Sequence, residues 1–255
     1  MKNLTTALLY SVLSIAALGR GFAGAIPVPN FSFEDSAPGF GNPTGWTLFN
    51  SSSSPTFSSD VLIAANGTPL VSGVAGSQFA VVDLDHNNTS PANPVSIVPP
   101  NGSLDGLTSD NLGIFAANML YTLTASVGLQ NASSLLDVGL ALGTGAPALA
   151  DVFPAPGQPS FAFALINGGG FSDNVLQDET ITLNTNTFPG LVGQPINASL
   201  IFHSEQQFGR HAIFDNVRLS SSTAAPEPVS LMLSVVGLLV LGSVALRERR
   251  NARPA

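Results

Sequence analysis

The 255-residue chain contains no cysteine. That excludes disulfides, a thiol nucleophile and any cysteine-held metal, so the domain must be held by its core or by a bound ion. Charge is scarce, at 9 % of residues, and basic residues number only eight. Two of these, Lys2 and Arg20, lie near the N-terminus, and four arginines lie in the last nine residues. Between residues 26 and 225 only Arg210 and Arg218 face fourteen acids, a net charge of −12. Such a domain repels phosphate backbones, which excludes nucleic acid as a partner, and it attracts divalent cations. One Trp and two Tyr leave little for stacking on sugar rings. Enzyme signatures are missing too: no Gly-x-Ser-x-Gly, no phosphate-cradling glycine loop, and no evident acid pair.

Long apolar runs occur only at the two ends. Lys2, the run from Ala7 to Leu18 and the small residues Ala23-Gly24-Ala25 form a signal-peptide pattern over 1–25 with Ile26 as the first mature residue. At the other end Val229 to Leu246 is free of charge. These eighteen residues span about 27 Å as a helix at about 1.5 Å per residue, near the thickness of a bilayer's hydrocarbon core. Arg247, Arg249, Arg250 and Arg253 follow as a stop signal expected to stay cytoplasmic. Pro226-Glu227-Pro228 precedes the run and keeps the approach extended.

In that order, Pro-Glu-Pro, apolar helix and arginine cluster, the tail over 226–255 resembles the PEP-CTERM sorting signal of biofilm-forming Gram-negative bacteria. The resemblance implies an exosortase-type processing enzyme as partner. It also implies an inner-membrane anchor before processing, and then release to the cell surface or extracellular matrix.

Gly and Pro together number 44 and punctuate short alternating apolar runs, as in an all-β sandwich or barrel. Expected strands include 27–34, 45–49, 78–84, 121–127 with 135–142 as its neighbour, 161–165, 179–184, 198–204 and 211–220. Phe31 and Phe33 are expected on one face, as are Ile213, Asp215, Val217 and Leu219. The stretch 85–112 reads as a long surface connection, 168–170 as a flexible glycine turn, and 221–225 as a linker.

Three pieces resemble the galactose-binding-like jelly-roll domains. They are Pro29-Asn30-Phe31-Ser32-Phe33-Glu34 with Gly45-Trp46, Leu120-Tyr121-Thr122-Leu123-Thr124, and Phe214-Asp215-Asn216-Val217-Arg218-Leu219. The resemblance implies a jelly-roll β-sandwich over 26–220 whose first and last strands share a structural Ca²⁺ held by Glu34 and Asp215. Main-chain carbonyls and water would complete a shell of about six to eight oxygens. The alternative for the same residues is an Asp215 bonded to main-chain amides and a solvated Glu34. Asp83 and Asp85 could share a cation but suit a polar strand exit better. His86, His203 and His211 form no zinc motif; His203 and His211 could meet across a hairpin, though a solvated or core-edge role suits them better. Trp46 and Tyr121 sit beside apolar residues and are expected in the core. Asn66, Asn101, Asn131 and Asn197 head Asn-x-Ser/Thr triplets read as turn composition.

The function expected from these residues is a non-enzymatic, exported surface or matrix protein acting in adhesion or exopolysaccharide association, its ligand residues unassigned. Its alternatives are a carbohydrate-binding module, marked by an exposed aromatic, and a hydrolase of extracellular polymer, marked by a pocket of converging carboxylates or histidines.

Overall fold

The computed structural model describes residues 24–50, 60–67, 70–83, 103–130, 136–147, 161–204 and 211–224. Almost all regular structure in them is strand. In chain order these are β1 (Gly24–Ile26), β2 (Gly39–Phe40), β3 (Trp46–Asn50), β4 (Asp60–Ala65), β5 (Gln78–Asp83) and β6 (Ser103–Ser109). Then come β7 (Met119–Gln130), β8 (Leu136–Gly143), β9 (Phe161–Asn167), β10 (Gln177–Asn184), β11 (Asn197–Ser204) and β12 (His211–Thr223). One sheet runs β10-β7-β12-β5-β4-β2, with β1 also paired to β12; the other runs β3-β6-β11-β8-β9. Every ladder between named strands with a described register is antiparallel. One apolar cluster draws on both sheets, including Val82, Leu123, Val127 and Phe214 from the first and Leu107, Val138, Leu200 and Phe202 from the second. The fold is therefore a β-sandwich, as the spacing of turn residues implies. The expected signal helix and membrane helix lie outside the described residues, apart from residues 24–26. Those pair with Leu219–Ser221, so the expected cut after Ala25 falls inside β1.

β7 shows how pattern becomes structure. Tyr121, Leu123, Ala125 and Val127 are buried against the core while Thr122 and Thr124 face outward, which is the period of two read in the sequence. Opposite them, Ile181 and Leu183 of β10 pair with Leu123 and Tyr121. Each such buried side chain is worth about 1.5–3 kcal/mol. Trp46 and Tyr121 lie in the core, 3 % and 2 % exposed, as their apolar neighbours predict. Trp46 donates from Nε1 to the Pro29 carbonyl at 3.0 Å, and Tyr121 Oη accepts from the Ala116 amide at 2.8 Å.

Three expectations are corrected. Residues 27–34 form a turn-rich segment, because Asn30 and Phe33 take left-handed φ values of 44° and 59°. Phe31 is therefore exposed and Phe33 fully buried. β8 lies beside β11 and β9 in the other sheet, not beside β7. The stretch 85–112 contains β6, hidden in the sequence by Asp105 and Gly106 within it. Gly168–Gly170 forms a single 3₁₀ turn, where a turn is expected.

β12 carries a bulge. Asn216 has φ 50°, and the strand changes parity there. Ala212, Phe214, Val217 and Leu219 join the central core, whereas Ile213 packs with Phe79 and Leu176 on the outer face. One extra residue bends the strand and re-aims its neighbours. Asn tolerates this conformation and a β-branched residue does not. Asn216→Val is expected to lower stability by about 1–2 kcal/mol. Asn216→Gly should change it by only a few tenths, as read from denaturant midpoints.

Candidate functional site

Two groups of polar side chains stand out. The first is built from the left-handed turns at Asn30 and Phe33 and from the bulge in β12. The Asn30 side chain accepts from the Asp35 amide at 2.9 Å and donates to Ser36 Oγ at 3.0 Å, so the turn is fixed internally. The Phe31 carbonyl accepts from the Val217 amide at 2.7 Å, tying the turn to β12. Glu34 and Asp215, the two residues singled out as cation ligands, thereby meet over one strap of main chain, residues 75–78. Glu34 Oε1 accepts from the Ser77 and Gln78 amides at 2.6 and 2.7 Å, and Oε2 from Ser77 Oγ at 2.8 Å. Asp215 Oδ2 accepts from the Ala75 amide, and Oδ1 from the Asn216 amide at 2.7 Å. Gly76 makes the strap possible: its φ is +104°, and a Cβ there would stand 2.5 Å from Glu34 Oε1.

The electrostatics of the pair are opposed. Burial pushes the Asp215 carboxyl up to about 6, and the neighbouring Glu34 charge adds to the rise against the pull of the two amides. Glu34 also feels burial, but its bonds from Ser77 and Gln78 together outweigh it and hold the carboxyl below its usual value. A fully buried Asp beside a second carboxylate is a place where a cation would relieve like-charge repulsion. Beside them, Gln78 Oε1 is buried and accepts no hydrogen bond, while its Nε2 reaches the Glu34 carbonyl at 3.4 Å. An orphaned amide oxygen and two carboxylates are a hard-oxygen donor set that suits Ca²⁺. Among the described residues no three His, Cys, Asp or Glu side chains converge as a metal cluster, so main-chain oxygen or water would complete the shell.

The second group lies at the end where β3, β5, β7 and β11 finish and β4, β6, β8 and β12 begin. Asp105 of β6 pairs with Phe202 of β11, and Phe202 with Val138 of β8. Phe202, Val138 and Leu107, two residues further along β6, belong to the central core, so Asp105 stands on the face turned toward the other sheet. It is fully buried there. On the opposite face of the same sheet His203 is 3 % exposed, its Nδ1 3.0 Å from Asp137 Oδ2. Asn167 donates to Asp137 Oδ1 at 3.4 Å. His211 belongs to the other sheet, with Nδ1 2.7 Å from Gln130 Oε1. Each histidine is thus held by a partner in its own sheet.

Asp105 and Gln78 were not singled out in the sequence. Asp105 could have been found as a lone acid in the apolar alternation Leu104-Asp105-Gly106-Leu107; Gln78 gives no local signal. Pro226, Glu227, Pro228, the four terminal arginines, His86, Asp85, Asn101 and Asn131 lie outside the described residues. So do the side chain of Asp83 and residue 225 of the expected linker.

The family model of the HpiC1 cyclases, described as HpiC1-like, matches residues 24–220. The chain belongs to the HpiC1-like family. Among curated proteins none matches the sequence. Solved structures agree in fold. An apo-form cyclase from Fischerella sp. is 18 % identical over 80 % of this chain and 98 % of its own, with a TM-score of 0.54. Two further cyclase structures from Fischerella sp. TAU are each 19 % identical over 80 % of this chain and all of their own, with TM-scores of 0.56. One is a Stig cyclase, FisC, in complex with (3Z)-3-(1-methyl-2-pyrrolidinylidene)-3H-indole. The other is in complex with 4-(1H-indol-3-yl)butan-2-one.

Membership of this family corrects the functional reading of the sequence. A cyclase family is a family of enzymes, so the expectation of a non-enzymatic matrix protein in adhesion or exopolysaccharide association is overturned. Both of its alternatives, carbohydrate module and polymer hydrolase, go with it. The signatures sought in the sequence were those of hydrolysis and phosphate transfer, and ring closure requires neither. The partners expected for a surface protein, an exosortase, a membrane and a polysaccharide, give way to the molecule in which a ring is closed. The location inferred with them, an inner-membrane anchor followed by the surface or matrix, is withdrawn as well. Among the described residues no helix is long and apolar enough to cross a membrane, and 229–246 is not among them.

Proposed function

We propose that this HpiC1-like chain is an enzyme that closes a ring in a small, largely apolar molecule, with Asp105 as the group that delivers and recovers the proton. The observation that carries the reading is the family match across residues 24–220. The two related structures solved with indole compounds favour an indole-bearing substrate. Ring closure of an unsaturated chain needs a proton at one carbon of a π bond. The cation so formed is attacked by a neighbouring π system, making the new carbon–carbon bond, and a proton is then lost. Atoms balance without an oxidant or reductant, so the product has the formula of the substrate. One carboxyl can perform both transfers when it is held among apolar walls, where water cannot intercept the cation. Asp105 is fully buried, with Phe202 beside it in register. The test is to incubate the full chain with indoles carrying unsaturated side chains and to look for products of unchanged mass and altered retention. Failure to convert any member of such a panel would remove the reading.

The sandwich is further read as a jelly roll of the galactose-binding-like type, with Ca²⁺ as a structural ion held by Glu34, Asp215 and Gln78 Oε1. The ion would neutralise the two acids and tie the first turn to the last strand; no chemical step is assigned to it. Calcium at a hundredfold excess over its dissociation constant is expected to stabilise the fold by about 2.7 kcal/mol. A melting midpoint that is identical in calcium and in chelator rejects the ion. For the tail at 226–255, outside both the family match and the described residues, the likeness to a PEP-CTERM signal is retained as a proposal about that segment alone.

A further inference from the structure

Asn167 is the last residue of β9, and Gly168 opens the glycine turn that follows it. Asn167 is exposed and stands in register with Asp137 of β8. Its side-chain amide is held at both ends. Oδ1 accepts from the Gly169 amide at 3.0 Å, and Nδ2 donates to Asp137 Oδ1 at 3.4 Å. The first bond folds the side chain back over the Gly168 peptide, because the ring it closes runs through the Gly168 nitrogen. Three conditions for attack of that nitrogen on the side-chain carbonyl therefore coincide. Glycine carries no Cβ to crowd the nitrogen. The Gly169 N–H already donates to the oxygen on which charge develops. The residue is open to water.

We propose that Asn167–Gly168 is a site of spontaneous deamidation, through which the chain acquires a negative charge beside the Asp137–His203 pair as it ages. The Gly168 nitrogen bonds to Asn167 Cγ and gives up its proton, the Cγ–Nδ2 bond breaks, and ammonia leaves. Water then opens the succinimide at either carbonyl, to aspartate or to isoaspartate. No oxidant or reductant takes part. Both products carry a carboxylate in place of the amide, so Asp137 exchanges a hydrogen bond for a like charge. Asp137 Oδ2 lies 3.0 Å from Nδ1 of the buried His203, so the new charge reaches that histidine through a single residue. This chemistry is independent of ring closure and of Asp105.

Asn66–Gly67 supplies an internal comparison. Asn66 Oδ1 accepts from the Val71 amide at 3.0 Å, which draws its side chain across the turn and away from the Gly67 peptide. Peptide mapping of the full chain, stored in mildly alkaline buffer, tests the site. A mass gain equal to NH replaced by O is expected at Asn167, with isoaspartate among the products. In the folded chain Asn167 should convert at least tenfold faster than Asn66. In the chain unfolded by denaturant the two should convert alike, since only the Asn-Gly sequence then acts. Gly168→Ala should slow conversion at Asn167 at least tenfold. Asn167 intact while Asn66 converts, the same ratio of rates folded and unfolded, or undiminished conversion in Gly168→Ala overturns the proposal. Asn167→Asp, which reproduces one product, is expected to melt at a lower temperature than the native chain. A midpoint equal to the native one or above it would show that the added charge does not disturb Asp137, and would overturn that part.

Discussion

Replacing Asp105 by Asn is expected to slow ring closure by about 10²- to 10⁴-fold, the range contributed by a positioned proton donor. The substitution keeps shape and removes the transferable proton, so the melting midpoint should move by only a few degrees. The control is on the other face of the same sheet. Asp137, bonded to His203 at 3.0 Å, is separated from the core face by the sheet itself. Asp137→Asn should therefore leave the rate within about twofold, far short of what loss of a proton donor costs. Single-turnover rates on a converted indole substrate check both. An Asp105→Asn protein that keeps a tenth or more of the native rate would show that the proton comes from elsewhere.

The second large effect concerns stability. Asp215→Ala is expected to cost about 3 kcal/mol, because the amides of Ala75 and Asn216 lose their acceptor in a buried setting. Gly76→Ala should cost about 1–3 kcal/mol by a different route, since Ala at φ +104° is strained and its methyl would press on Glu34 Oε1. Denaturant midpoints measure both. Glu34→Ala combined with Asp215→Ala should be less damaging than the two single costs added together. Removing one acid also removes the repulsion that the other suffers. Additive costs would mean that the strap does not couple the two residues.

The sequence made the class of fold readable because strands such as β7 and β10 keep their alternation over whole lengths. It made the pairing of Glu34 with Asp215 readable only through a resemblance. Nothing local in either segment says that both reach residues 75–78. The faces were misjudged where an asparagine or a phenylalanine turns left-handed. At Asn30, Phe33 and Asn216 the backbone leaves the extended region, and each departure changes which side chains meet the core. β6 escaped because a buried acid and a glycine break its apolar pattern, and that same acid is the candidate proton carrier. A residue placed against local preference is the mark of chemistry in a chain otherwise arranged for packing. The cyclase assignment was not readable because proton-driven ring closure needs one acid and an apolar wall, and neither has a spacing motif.

The tie at residues 34, 75–78 and 215 fastens strands of one sheet, and the acid at residue 105 stands in the other. Mutational drift can therefore rework one pole without eroding the other. Side chains around the Asp105 pole are free to change, and with them the range of molecules that fit. The far pole meanwhile keeps the scaffold fastened. A lineage built on this plan can diversify its chemistry quickly while its architecture stays fixed.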